Sequence, residues 1–387
     1  MKKNGGYDYI FAGAGAATLQ IVGKFLEHKQ FAKKSILILE QNTNKANDRT
    51  WCFWEEKSKN DWLPFVHSQW ENITFSSDSI QLKESILPYA YKMVRSNTYY
   101  THVRELIAKN KNIKLRYEKV ETFKPNAEWV DVYTDQNIYA GAYFFNSIFD
   151  WSVVRQQSKY PVLQQHFVGW FIKTDEDCFD ASTANFMDFC VAQKGNTRFM
   201  YLLPLSATEA LVEYTLFSKN LLQIAEYERE IRKYLTQKNV RNYRIVETEQ
   251  GNIPMTCYPF SKHNSERVLH IGSAGGWTKA STGFTFKFIE QKAKKLVSFL
   301  ITQSDMRLFE KRNRFWWYDL LFLDVLARYN HKGSFLFSKL FQHNNPITIL
   351  RFLDEKTTFK QEIRIMRSFP VVMFIGELLR RLVRSLH

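Results

Sequence analysis

The sequence predicts an α/β fold, in which a Rossmann-like nucleotide-binding domain is split by an antiparallel-sheet domain and followed by a helical C-terminal region. Three observations predict it. A short apolar strand runs into the glycine turn GAGAAT at 13–18 and then into a helical pattern. A second strand-to-glycine turn, HIGSAGG, stands at 270–276. Between them lies a block of strand-like segments, HFVGWFIKT, ANFMDFCVAQ, TRFMYLLPL and EALVEYTLF, separated by turn residues. The expected division is a discontinuous nucleotide domain over 1–150 and 251–300, a substrate sheet over 151–250, and a helical, basic region over 301–387.

In chain order, an apolar strand at 8–12 precedes a helix whose inner side carries Ile21, Val22, Phe25 and Leu26. SILILEQN follows, ending at Glu40. Its unbroken apolarity means burial on both faces, as in a parallel sheet, so the stretch reads as a β-α-β unit. In DRTWCFWEE, 48–56, alternation sends Trp51 and Phe53 to one face and Cys52 and Trp54 to the other. Aromatic surface on both sides fits a doubly buried strand or the wall of a cavity for a long apolar ligand. A helix over 96–110 with Ser96 as N-cap is next. A strand at IKLRYEKVETF, a hairpin through WVDVYTDQNIYAG and an apolar strand at AYFFNSIF complete the first part. After the block of strands come a charged helix in NLLQIAEYEREIRKYLTQKN, the segment RNYRIVETEQGNIPMT, and a strand-turn-helix whose helix begins near Gly283. Beyond 300 the pattern is mostly helical. No repeat, low-complexity tract or Pro/Gly-rich linker separates these parts, so they interleave in one body.

At 387 residues and 45% hydrophobic content the chain builds a full core, which excludes disorder. The aromatic fraction of 16% exceeds what a core needs and points to a ligand tunnel or a membrane interface. Cys52, Cys178, Cys190 and Cys257 form no C-x-x-C pair, which leaves neither a metal site nor a disulfide framework and suits a reducing cytoplasm. Asp8 interrupts the apolar run that would otherwise imitate a signal peptide. The longest apolar stretch, FPVVMFIG at 369–376, has eight residues, too few to span a bilayer. Net charge is +15, and residues 307–387 hold 15 Lys and Arg against 7 Asp and Glu, over half of the surplus. Such a surface attracts phosphate. No zinc-finger, KH or RNP pattern accompanies it, so lipid is expected rather than nucleic acid. The oligomeric state has no signature in the sequence.

In GAGAAT, small residues let backbone N–H groups approach a pyrophosphate at the positive end of a helix. Thr18 replaces the third glycine of the usual pattern. Glu40, 25 residues after Gly15, stands where a carboxylate accepts hydrogen bonds from ribose hydroxyls. Two such turns are the arrangement of flavoproteins whose FAD domain is interrupted, whereas a nicotinamide enzyme needs one. At the second turn Ser273 stands where Asp usually holds the ribitol, and no third turn remains for an NADPH domain. The expected FAD contacts are Gly13, Gly15, Ala16, Glu40, Gly272, Ser273, Gly275, Gly276 and Gly283.

GAGAAT, DRTWCFWEE, GWFIKTDEDCFD with ANFMDF, FMYLLPLSATEALVEYT, GNIPMT and IGSAGGWTKASTGF, in that order over residues 8 to about 290, resemble the bacterial-type lycopene β-cyclases. DRTWCFW and AGGWTKASTGF are the most specific of these. The resemblance implies a flavoprotein that holds reduced FAD, with NAD(P)H as electron source and no net redox turnover. Its reaction would be an intramolecular lyase step that closes the ψ-ends of lycopene into β-ionone rings, through γ-carotene to β-carotene. It implies that Trp51, Phe53 and Trp54 line the polyene tunnel, and that Glu213, an acid inside the apolar strand LVEYT, is the proton donor. A buried carboxyl is held protonated by desolvation, so the role suits the residue. Glu213 on the polar face of an edge strand is the plainer reading. Glu55 and Glu56 are expected in a solvated exit beside Lys57 and Lys59.

The tail segments at 315–329 and 362–386 mix aromatic and aliphatic residues with arginines, as in helices lying in a membrane interface; packing on the nucleotide domain is the alternative. Peripheral attachment to the inner face of the cell membrane is the expectation. Two other functions share these features: a flavin monooxygenase or polyene reductase, and a non-enzymatic protein that binds membranes.

Overall fold

The computed structural model describes residues 3–43, 47–59 and 61–386. Unbroken apolar sequence puts the Ile36–Glu40 strand inside a parallel sheet, with all five residues buried. Across that sheet the order is Ile113–Tyr117, Ile36–Glu40, Lys3–Ala12 and Ile138–Asn146, all parallel, then Val130–Thr134 and Val120–Pro125, antiparallel. Val268–His270 joins the end of Ile138–Asn146 in parallel, which brings the second glycine turn beside the first.

Alternation along each strand divides the core. Phe11 and Ile38 pack beneath helices Ala16–Glu27, Ser96–Lys109 and Phe286–Thr302, with Ile21, Phe25, Val103 and Ala293. Ile10, Leu37 and Leu39 face the other way, onto Val130 and Val132 of the antiparallel hairpin. Ser96 is the first helical residue and not the cap. Its hydroxyl accepts from Arg49 N at 3.1 Å and donates to Asp48 at 3.2 Å, tying the helix to the chain that enters DRTWCFWEE. IKLRYEKVETF is two strands, because buried Glu118 turns inward to accept hydrogen bonds from Thr134 (2.6 Å) and Tyr139 (2.7 Å).

A second seven-stranded sheet has the order Tyr243–Met255, Leu163–Thr174, Glu209–Ser218, Thr197–Pro204, Thr183–Asp188, Asn72–Ser77, Ile80–Ser85. Every pairing is antiparallel except that of Thr183–Asp188 with Asn72–Ser77. The sheet therefore reaches outside 151–250 on both sides. Helix Ile224–Gln237 covers one face. A small sheet of Thr50–Glu56, Tyr89–Arg95 and Val66–Trp70 lies at the other.

Helices Arg314–Arg328, Gly333–His343, Pro346–Leu353 and Phe359–Ser368 pack against that same face, burying Leu320, Leu323, Phe337, Leu350 and Ile365. Packing wins over the membrane for 315–329, where Trp317 alone among the large apolar side chains is exposed. Buried Lys279 pins the region to the second glycine loop by ion pairs to Asp319 (2.9 Å) and Glu355 (3.1 Å). Helix Val371–Leu386 behaves differently: Val371, Val372, Ile375, Leu378, Leu379, Leu382 and Val383 are all exposed, while Glu377 and Arg381 hold its other face to Arg328 and Asp324. Among the described residues no helix is long and apolar enough to cross a membrane.

Candidate active site

Between the two glycine turns and the face of the second sheet that lies away from helix Ile224–Gln237 is a cavity of about 430 Å³. The nucleotide end is built from backbone. Gly13 has φ +87°, and a Cβ there would stand 2.4 Å from Ser147 Oγ, so the turn requires glycine. Helix Ala16–Glu27 starts straight after it, and a Cβ on Gly15 would meet nothing within 4 Å, leaving open space at the helix N-terminus. Glu40 folds over the turn, accepting hydrogen bonds from Ala14 N at 2.7 Å and Asn42 N at 3.0 Å. The second turn touches the first: a Cβ on Gly272 would lie 3.1 Å from Ala17 Cβ. Gly275 backs onto His270 O, where a Cβ would come within 2.1 Å, and Gly276 and Gly283 have positive φ.

Gly15, Ala16, Gly272, Ser273 and Gly283 border the cavity directly. Gly13, Glu40, Gly275 and Gly276 shape the turns behind it. The buried Gln165 Oε1 and Thr282 Oγ1 have no hydrogen-bond partner among the described residues, so this end offers polar groups a ligand can satisfy. An open helix N-terminus, a ribose-type carboxylate and two glycine turns in contact fit a dinucleotide.

The floor follows from strand register. Tyr201 pairs with Glu213, Glu213 with Gly169, and Gly169 with Glu249, so the four form one row across the sheet, on the face that lines the cavity. The next row carries Phe199, Thr215, Phe167 and Gly251. Two carboxyl groups thus stand on an otherwise aromatic floor. Glu213 is 7% exposed and accepts a hydrogen bond from Thr215 Oγ1. Burial first, and then the charge of Glu249, push its pKa up to about 8. Burial also raises Glu249, against the hydrogen bond from Thr50 Oγ1 (2.6 Å) and the positive charge of Arg95. Desolvation on this floor, with the neighbouring Glu249 charge, keeps the proton on Glu213. It does not stand on an edge strand, since Leu163–Thr174 and Thr197–Pro204 flank its own.

Sequence reasoning missed Glu249. Only the sheet order puts Glu249 across Gly169 from Glu213. Cys52, Tyr91 and Tyr201 form the adjoining wall, with the two phenols hydrogen-bonded to each other. Desolvation pushes the Cys52 thiol up to about 12, so the wall is neutral.

Trp51 lines the cavity, stacked on Phe286 at 4.8 Å and set edge-on to Tyr100 at 5.5 Å. Phe53 and Trp54, expected beside it, are core residues that do not border the cavity. Phe53 stacks on Phe286 at 5.3 Å, and Trp54 meets Phe284 edge-on at 4.7 Å. The strand lies between two cores, so both faces are covered, and Phe284 and Phe286 form the lining in front. Glu55 is likewise not solvated: it is buried between Lys92 and Lys287, at 2.9 Å from each. The apolar end is roofed by Phe337, Leu340, Phe341, Ile349 and Leu353 from the C-terminal helices.

A family model described as lycopene cyclase protein matches residues 8–377. The lycopene beta-cyclase of Pantoea ananas is 26% identical over 257 residues, spanning 65% of this chain and 63% of that relative, under two thirds of its length. Among solved structures, a geranylgeranyl bacteriochlorophyll reductase-like protein from Thermoplasma acidophilum superposes with a TM-score of 0.65 at 11% identity, covering 98% of this chain and all of that one (100%). A variant of the halogenase PltM in complex with FAD gives 0.54 at 10% identity, over 90% of this chain and 79% of that one. The solved structures share the fold, and the family model spans nearly the whole chain: the chain belongs to the lycopene cyclase family.

Proposed function

We propose that the protein is an FAD-dependent lycopene β-cyclase that closes the ψ-ends of lycopene to β-ionone rings by acid catalysis. The observation that carries this reading is Glu213, a carboxyl kept protonated on the aromatic floor of a cavity that opens onto two glycine turns. Gly15, Ala16, Gly272 and Ser273 would hold the dinucleotide backbone of FAD, and Glu40 would turn from Ala14 N to its ribose hydroxyls. When bound and reduced with electrons from NAD(P)H, FAD would supply a negative ring that stabilises positive charge in a low-dielectric cavity.

Glu213 gives its proton to C2 of the terminal double bond, and the C5=C6 bond attacks the resulting cation at C1. Loss of the C6 proton completes the ring. Trp51, Phe167 and Phe284 present aromatic surface to the passing cation, and the C-terminal roof excludes water that would trap it as an alcohol. The donor must be protonated, so the cyclisation rate is expected to fall as pH rises through about 8, measured as initial rate across a pH series with reduced flavin. Expression in a lycopene-accumulating bacterium, followed by chromatography of the pigments, tests the activity: γ-carotene and β-carotene should replace lycopene, and unchanged lycopene beside a folded yellow protein would overturn it.

Lycopene resides in the bilayer, and helix Val371–Leu386 offers seven exposed apolar side chains beside arginines, so it is our choice for the membrane contact. Sedimentation with anionic liposomes should weaken with added salt. The double substitution Val372→Glu and Leu379→Glu, which touches only exposed positions, should weaken it by at least roughly tenfold. Unchanged binding by that variant would remove the helix from the interface.

A further inference from the structure

Ring closure takes up one proton and releases another, so a site with a donor also needs an acceptor for the C6 hydrogen. The floor carries a second carboxyl in the donor's own row. Glu213 and Glu249 flank Gly169 from opposite sides, on strands that each lie about 4.8 Å from the central one. Gly169 has no side chain to separate them. Glu249 leans into the space this leaves: a Cβ on Gly169 would lie 3.2 Å from Glu249 Cγ and 3.4 Å from its Oε1. Each carboxyl is steadied by a hydroxyl, Glu213 by Thr215 and Glu249 by Thr50.

The surrounding titratable and charged groups are few. Tyr201, Tyr91 and Cys52 face Glu213 from the wall, and Arg95, Arg49 and Glu247 act on Glu249. Arg95 is itself committed to Glu247 at 2.6 Å. Two carboxyls this close in an apolar cavity do not both ionise readily, and they titrate as a pair.

We propose that Glu213 and Glu249 work as one acid–base pair, in which Glu213 protonates C2, Glu249 removes the C6 proton, and that proton then returns from Glu249 to Glu213. This rests on Glu213 being the acid. The steps balance. The Glu213 O–H breaks as C2–H forms, the C5=C6 pair becomes the C1–C6 bond, and the C6–H pair restores the double bond at C5=C6 while its proton goes to Glu249. No electrons are gained or lost. C2 and C6 are both bonded to C1 in the closed ring, so donor and acceptor must be near neighbours, as these two residues are.

The test measures initial rates over a pH series, on lycopene in liposomes with reduced FAD, for the wild type, Glu249→Gln and Glu213→Gln. Glu249→Gln should retain FAD and lose about 10²-fold in rate. Its high-pH limb should move to lower pH, because Glu213 no longer faces a negative charge. Wild-type rate in Glu249→Gln, or a slow variant whose limb has not moved, would overturn the pair and leave Glu213 as the acid. Full activity in Glu213→Gln would overturn both readings, so the two failures are distinct. If Glu249→Gln fails to fold, Glu249→Asp serves: it draws the charge back by one methylene from both substrate and Glu213, so it should slow the reaction and move the same limb in the same direction by less. An unmoved limb there would also count against the pair.

Discussion

Glu213→Gln should lose most cyclisation while leaving fold and flavin in place. The amide keeps the shape of the side chain and still accepts the Thr215 hydroxyl, so the strand and the cavity survive. What it lacks is a proton to give. General acids contribute roughly 10² to 10⁴-fold, and no other carboxyl on this floor is as free of nearby positive charge, so a loss in that range is expected in initial rate on lycopene liposomes. Glu213→Asp should keep part of the activity, since only reach changes. Near wild-type turnover by the Gln variant would mean that the proton comes from elsewhere.

Gly13→Val should lose flavin retention altogether. At φ +87° a branched side chain is strained by about 1 to 3 kcal/mol, and its Cβ would meet Ser147 Oγ at 2.4 Å. Ser147 cannot give way cheaply, because its hydroxyl donates to Ala12 O at 2.6 Å and so fixes the strand end from which the turn departs. Displacing that turn moves the helix N-terminus at Gly15 and the Glu40 carboxylate together, and those are the groups assigned to FAD. Flavin absorbance of the purified variant, set against the wild type, checks this; full occupancy would move the cofactor site away from the turn.

The parallel sheet was legible because Ile36–Glu40 is an unbroken apolar run beside a strand that leads into a glycine turn, and both turns because glycine is placed where positive φ or a close approach demands it. Glu213 stood out as one acid in an apolar strand. Glu249 did not, because what distinguishes it is a partner two strands away in space. Trp51, Phe53 and Trp54 look alike in sequence, yet only Trp51 reaches the cavity, since which layer an aromatic occupies depends on what packs against it. Strands Asn72–Ser77 and Ile80–Ser85 join the second sheet by a parallel pairing that nothing local encodes. In the tail, apolar residues and arginines occur in both the packed helix Arg314–Arg328 and the exposed helix Val371–Leu386; only the tertiary contacts separate them.

The mass of the product tests the central claim most directly. Cyclisation through Glu213 adds one proton, releases another and transfers no net electrons, so lycopene converted by the reduced enzyme should yield ring-closed products of unchanged mass, without NAD(P)H being consumed in proportion to product. A product heavier by one oxygen or by two hydrogens, formed with matching NAD(P)H consumption, would contradict it and make the protein a monooxygenase or a reductase.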